Sequence, residues 1–117
     1  LGKKEENMLT ASIIIFAIAA VLGLTIIIRL LKGKPTIKPV VFLHGGVAAT
    51  ALVILIIYAI NNAMSPTASI VIFVIAALGG FILLANDLRK KPGPKALAVI
   101  HALAAVTAFI ILLLFTF

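Results

Sequence analysis

The sequence contains no cysteine. That excludes disulfides, thiolate metal sites, cysteine nucleophiles and covalently attached c-type haem, and says nothing about redox compartment. Charge is nearly as scarce. Only 11% of the 117 residues are Asp, Glu, Lys or Arg, against about 25% in a soluble domain. Three residues are acidic: Glu5, Glu6 and Asp87. Paired-carboxylate chemistry is therefore not expected. No Ser-His-Asp set, phosphate-binding loop or metal-ligand cluster can be drawn from the remaining residues either. A self-contained enzyme is not expected.

What is present is apolar. Hydrophobic residues make up 64% of the chain, and the mean hydropathy is +1.35. Apolar runs recur down the whole length, so a secretion signal does not account for them. The chain opens on Leu1 rather than Met, consistent with a leading segment removed by processing or lying upstream. A membrane-spanning helix needs about 20 mostly apolar residues. Four segments qualify: Leu9–Leu31, Pro39–Ile60, Thr67–Leu88 and Ala96–Phe117. Pro39 suits the first turn of the second helix, where a missing N–H costs nothing. Ser65 and Thr67 flank Pro66 in a good helix-opening sequence for the third. The expected fold class is all-α: a polytopic four-helix membrane bundle, one membrane domain over residues 1–117.

The net charge of +7 would suggest nucleic acid in a soluble protein. Here the positive charges sit mainly in two short connectors, so membrane topology is the expected reading and no nucleic-acid partner is implied. The first connector carries Arg29, Lys32, Lys34 and Lys38; the third carries Arg89, Lys90, Lys91 and Lys95, with Asp87 beside them. The second, Asn61 to Pro66, is uncharged, and the N-terminal stretch has two basic residues, Lys3 and Lys4, offset by Glu5 and Glu6, although the rule counts basic residues alone. Eight basic residues against two put both basic connectors in the cytoplasm and both termini outside, as in a bacterial-type inner membrane. Tyr58 falls near the opposite interface, where an aromatic anchor is ordinary.

Laid over itself with Thr10 on Thr67, the sequence aligns without a gap. Thr10-Ala11-Ser12-Ile13 falls on Thr67-Ala68-Ser69-Ile70, Phe16 on Phe73, and Gly23 on Gly80. Lys34-Pro35 falls on Lys91-Pro92, Lys38 on Lys95, His44 on His101, and Thr50-Ala51 on Thr107-Ala108. Of the 51 pairs from Thr10 to Ile60, 20 are identical. Repeat one covers about residues 10–60 and repeat two about 67–117. Each unit has two helices, so the copies are parallel and related by a pseudo-twofold axis along the membrane normal. Close packing in lipid needs small residues, and Ala19 with Gly23 and Ala76 with Gly80 supply them four apart.

The two histidines are the sharpest chemical signal, since an ionisable residue inside a membrane reads as functional by default. His44 and His101 each follow a connector lysine by six residues, about 9 Å along a helix. Their surroundings are small: Gly45, Gly46, Val47, Ala48 and Ala51 after the first, Ala104, Ala105 and Ala108 after the second. Either the helices close tightly there or a flat apolar group fills the space. Haem b meets these conditions. Two neutral imidazoles provide both axial ligands, and the macrocycle suits a bundle core. The propionates would then point to the basic edge near Lys38, Lys95 and Arg89, with charges paired at the interface. A chlorophyll-type pigment is the main alternative, although one histidine usually suffices there and two would mean two pigments. Histidines hydrogen-bonded to backbone, or to Thr50 and Thr107, are the structural alternative.

The arrangement resembles small four-helix membrane b-type cytochromes in architecture and in its two histidines. That resemblance implies one bis-histidine haem, with metal ligands His44 and His101, and single-electron transfer, in contact with a quinone or another membrane subunit. Size and helix number also resemble the small multidrug transporters, which depend on a glutamate inside the first helix; here Glu5 and Glu6 precede it. Two functions remain: a redox carrier, or a non-catalytic or pigment-holding subunit of a larger membrane complex.

Overall fold

The computed structural model describes residues 2–91 and 94–117. It is all-helical, with α1 Lys3–Leu31, α2 Lys38–Asn61, α3 Thr67–Leu88 and α4 Lys95–Thr116. All four are long and apolar enough to cross a membrane. The expected spans agree to a residue or so, except that α1 begins six residues before the apolar run. Glu5 and Glu6 lie in its first turn, where carboxylates oppose the positive end of the helix dipole. Pro39 sits in the first turn of α2 and Pro66 at the N-cap of α3. The repeat match at Lys91-Pro92 falls partly on residue 92, outside the described residues.

The two odd helices stop in the same way. After α1, Gly33 turns left-handed at φ +70°, Gly33 N–H donates to the Leu30 carbonyl, and Lys34 N–H to the Arg29 carbonyl. After α3, Lys90 takes φ +56°, with Lys90 N–H on the Asp87 carbonyl and Lys91 N–H on that of Asn86. These bonds satisfy carbonyls that a helix end leaves unpaired.

Within the first hairpin Ser12 reaches the Ala51 carbonyl and Ala19 meets His44. Seven residues forward along α1 is thus seven residues back along α2, the register of antiparallel helices. Ser69 with Ala108 and Ala76 with His101 give α3 and α4 the same register. Helices of one hairpin pack closely, while α1 with α4 and α2 with α3 join the hairpins more sparingly. The helices α1 and α3 therefore lie across one diagonal of the bundle, and α2 and α4 across the other. The molecule measures 46 × 22 × 20 Å. Its outer surface is apolar, with Ile14, Val21, Leu24, Phe81, Leu103 and Leu114 all exposed. Such continuous apolar surface is untenable in water and ordinary in lipid.

Burial is uneven along the axis. Leu9, Phe16, Ala51, Leu55, Tyr58, Phe73, Ala108 and Leu112 form one buried cluster in the half away from the basic connectors. On the connector side of the histidines, Ala98 is the one buried residue among those described. Tyr58 is not the interfacial anchor expected of it. It is 0% exposed, because Ala51, Leu55 and Tyr58 follow one another at helical spacing and share the inward face. Its ring meets Phe115 edge-on at 6.4 Å, and its hydroxyl has no partner among the described residues.

Candidate functional site: a facing pair of imidazoles

An α-helical carbonyl points toward the residue four further on, so a glycine at that position leaves it accessible from the side. Gly23 follows Ala19 by four, and Gly80 follows Ala76 by four. The imidazoles use both openings. His44 Nδ1 lies 2.8 Å from the Ala19 carbonyl, and His101 Nδ1 lies 2.7 Å from the Ala76 carbonyl. A Cβ at Gly23 would stand 2.9 Å from His44 Cε1; one at Gly80 would stand 3.1 Å from His101 Cε1. The Ala-Gly pairs on α1 and α3 are therefore seats for histidine rings on α2 and α4.

The bond also fixes the tautomer. A carbonyl only accepts, so Nδ1 carries the proton and donates it. In the neutral ring Nε2 is then left with a free lone pair. Metal-binding histidines are held in the same way, by a hydrogen bond from the other ring nitrogen to backbone or carboxylate. The two rings face each other across the bundle, centroids 6.3 Å apart and planes at 82°.

Toward the end away from the basic connectors, the site is closed. Phe16 and Phe73 stack at 3.9 Å with planes 2° apart, about 4.5 Å along the axis from Ala19 and Ala76. Beyond them Ser12 donates to the Ala51 carbonyl at 3.1 Å and Ser69 to Ala108 at 2.8 Å, all buried. Toward the basic end the walls are looser: Leu22, Val40, Val41, Leu84 and Leu97 are half-buried.

The expected site residues divide. Ala51 and Ala108 are buried, and Ala48, Ala104 and Ala105 are half-buried. Gly45 and Gly46 stand on the outer surface, where a Cβ would meet nothing within 4 Å. Thr50 and Thr107 donate to the carbonyls of Gly46 and Leu103 within their own helices, so neither is a histidine partner. At the basic end Lys38 Nζ pairs with Asp87 Oδ2 at 2.7 Å, and Thr36 donates to the same carboxylate, while Lys95 is exposed. Sequence reasoning missed Gly23, Gly80 and the Ala19 and Ala76 carbonyls as ring partners. The four-residue spacing of Ala and Gly is the available signal, and by itself it indicates only close helix packing.

Among the described residues no three His, Asp or Glu side chains converge. Two imidazoles are too few for a tetrahedral metal site held by protein alone. Comparison with protein-family models, curated proteins and solved structures found no match.

Proposed function

We propose that this chain is a membrane b-type cytochrome, a one-electron carrier in which His44 and His101 would hold one haem b. One observation carries the reading: two rings face each other across the bundle at 6.3 Å, each with Nδ1 committed to a backbone carbonyl. That leaves the Nε2 lone pair of each ring with no role in holding the fold. A bound haem iron supplies the ability to take up and release a single electron. The protein's part is to fix both rings and to exclude water with the Phe16–Phe73 stack. A macrocycle would have to part the half-buried walls on the basic side. Its propionates would find Lys95 and, in exchange with Asp87, Lys38.

The proposal includes a tandem two-helix repeat with a pseudo-twofold axis along the membrane normal. The hydrogen bonds of Ser12 and His44 recur at Ser69 and His101, the equivalent positions of the second unit, and support it. It also includes an orientation with both basic connectors cytoplasmic and both termini external. The histidines then lie about 9 Å inside the cytoplasmic edge of a hydrocarbon layer about 30 Å thick. Alone, such a centre does not conduct across the membrane. A quinone or a second redox subunit in the same complex completes the path.

A second reading has its own support. Each ring is already hydrogen-bonded and seated on a glycine of its own hairpin, which suffices to lock α1 to α2 and α3 to α4. On that reading the chain is an accessory subunit without haem, or one holding a chlorophyll-type pigment on each histidine. The visible spectrum of purified protein before and after dithionite separates these. A cytochrome shows sharp reduced bands, loses six-coordination in His44→Ala or His101→Ala, and loses haem in the double variant. Colourless wild-type protein, or an unchanged reduced spectrum in the double variant, overturns the cytochrome.

A further inference from the structure

A surface cleft of about 300 Å³ opens at the basic end between α1 and the start of α2, lined by Leu22, Thr25, Ile26, Arg29, Ile37 and Val40. Its interior offers little to a polar ligand, since Thr25 spends its hydroxyl on the Leu22 carbonyl of its own helix at 2.7 Å. Arg29 is the one charge on the wall. Its Nε donates to the Pro35 carbonyl at 2.8 Å, which pins the guanidinium at the rim. Among the described residues nothing else engages it, because Asp87, the one acid at this end, is held by Lys38 and Thr36. The terminal guanidinium nitrogens remain, a planar fork that matches phosphate oxygens.

An apolar slot ending in an unshared guanidinium at a membrane surface has the form of a phospholipid site. We propose that it binds one anionic phospholipid, with an acyl chain along Leu22, Ile26 and Val40 and the headgroup phosphate on Arg29. Selection against zwitterionic lipid follows from Lys32 and Lys34, both exposed beside the rim; a headgroup amine would meet them with like charge. In the second hairpin Asn86 stands at the position equivalent to Arg29, and Asp87 follows it. The position that carries Arg29 in the first hairpin thus carries no cation in the second.

The test uses full-length protein reconstituted in phosphatidylcholine bilayers with or without phosphatidylglycerol, then extracted and examined by native mass spectrometry. Wild type retains one phosphatidylglycerol and no comparable phosphatidylcholine. A charge-assisted pair to phosphate makes Arg29→Gln weaken retention about 10- to 100-fold. Removing a diffuse surface charge in Lys34→Gln costs about fivefold. Thr25→Phe narrows the cleft with every charge intact and also reduces retention, which covers the case in which Arg29→Gln fails to fold. Glycerol phosphate does not compete at concentrations where phosphatidylglycerol saturates. Equal losses in Arg29→Gln and Lys34→Gln, equal retention of both lipids, or competition by glycerol phosphate would each overturn the proposal.

Discussion

A ring seated on a glycine tolerates little addition. In Gly23→Ala the new Cβ would come within 2.9 Å of His44 Cε1, which real contacts do not show; the ring must move and its bond to Ala19 lengthens. Gly80→Ala is milder at 3.1 Å, and Gly79→Ala milder again, with His101 no closer than 3.8 Å. Overpacking costs about 1–3 kcal/mol, while alanine gains about 0.5–1 kcal/mol over glycine in a helix. Thermal unfolding in detergent should rank the variants accordingly: Gly23→Ala clearly destabilised, Gly80→Ala slightly, and Gly79→Ala and Gly46→Ala neutral or stabilised. A Gly23→Ala protein as stable as wild type would contradict the seat. Tyr58→Phe should be neutral or stabilising by the same assay, because it deletes a buried hydroxyl without a partner, a group costing about 1–3 kcal/mol to desolvate. Phe115 fills the equivalent position of the second hairpin. Both histidines were legible in the sequence as rare letters at matched positions. Their partners were not, because adjacency misleads on a helix. Gly45 is one residue from His44 and therefore about 100° around the axis, whereas Gly23 is remote in sequence and in contact. Only the register between α1 and α2 brings it there.

Helix ends were legible to within a residue or so wherever an apolar run met proline or lysine. The start of α1 was not, since a polar first turn with Glu5 and Glu6 against the helix dipole continues the helix without any apolar signal. Nor was the form of the stops. Both odd helices end on a left-handed residue, but Gly33 adopts φ +70° freely and Lys90 adopts φ +56° against its own Cβ. A non-glycine residue in that region carries about 1–2 kcal/mol of strain. Lys90→Gly should therefore raise stability by about 1 kcal/mol, less the greater entropy that glycine loses on folding. The matching change Gly33→Lys should lower it by a similar amount. Equal unfolding temperatures for wild type, Lys90→Gly and Gly33→Lys would show that neither cap limits stability. The lone acid in the connector region could be placed from sequence at an edge among cations, but not assigned to Lys38 and Thr36. That assignment depends on how the hairpins meet.

For the whole molecule, the absence of cysteine makes orientation simple to read. A single cysteine at Asn62 should react with an impermeant maleimide added outside intact cells, and one at Gly33 should react only after permeabilisation. The reverse pattern would invert the topology. Four spans could be recognised because length and hydropathy decide them segment by segment. The bundle's uneven packing could not, because all four helices are apolar on every side and periodicity carries no inward direction. That unevenness has a mechanical consequence. Two hairpins are clamped together by a buried cluster at one end. At the other end, among the described residues, a half-exposed ion pair and a threonine hydroxyl are the only polar ties across them. A partly exposed pair of this kind is worth at most about 1 kcal/mol. The cluster is thus a fulcrum and the hairpins are levers. From Phe16 to Leu31 the lever arm is about 22 Å, so a rotation too small to disturb the stacked phenyl rings opens the gap between the basic connectors several times further.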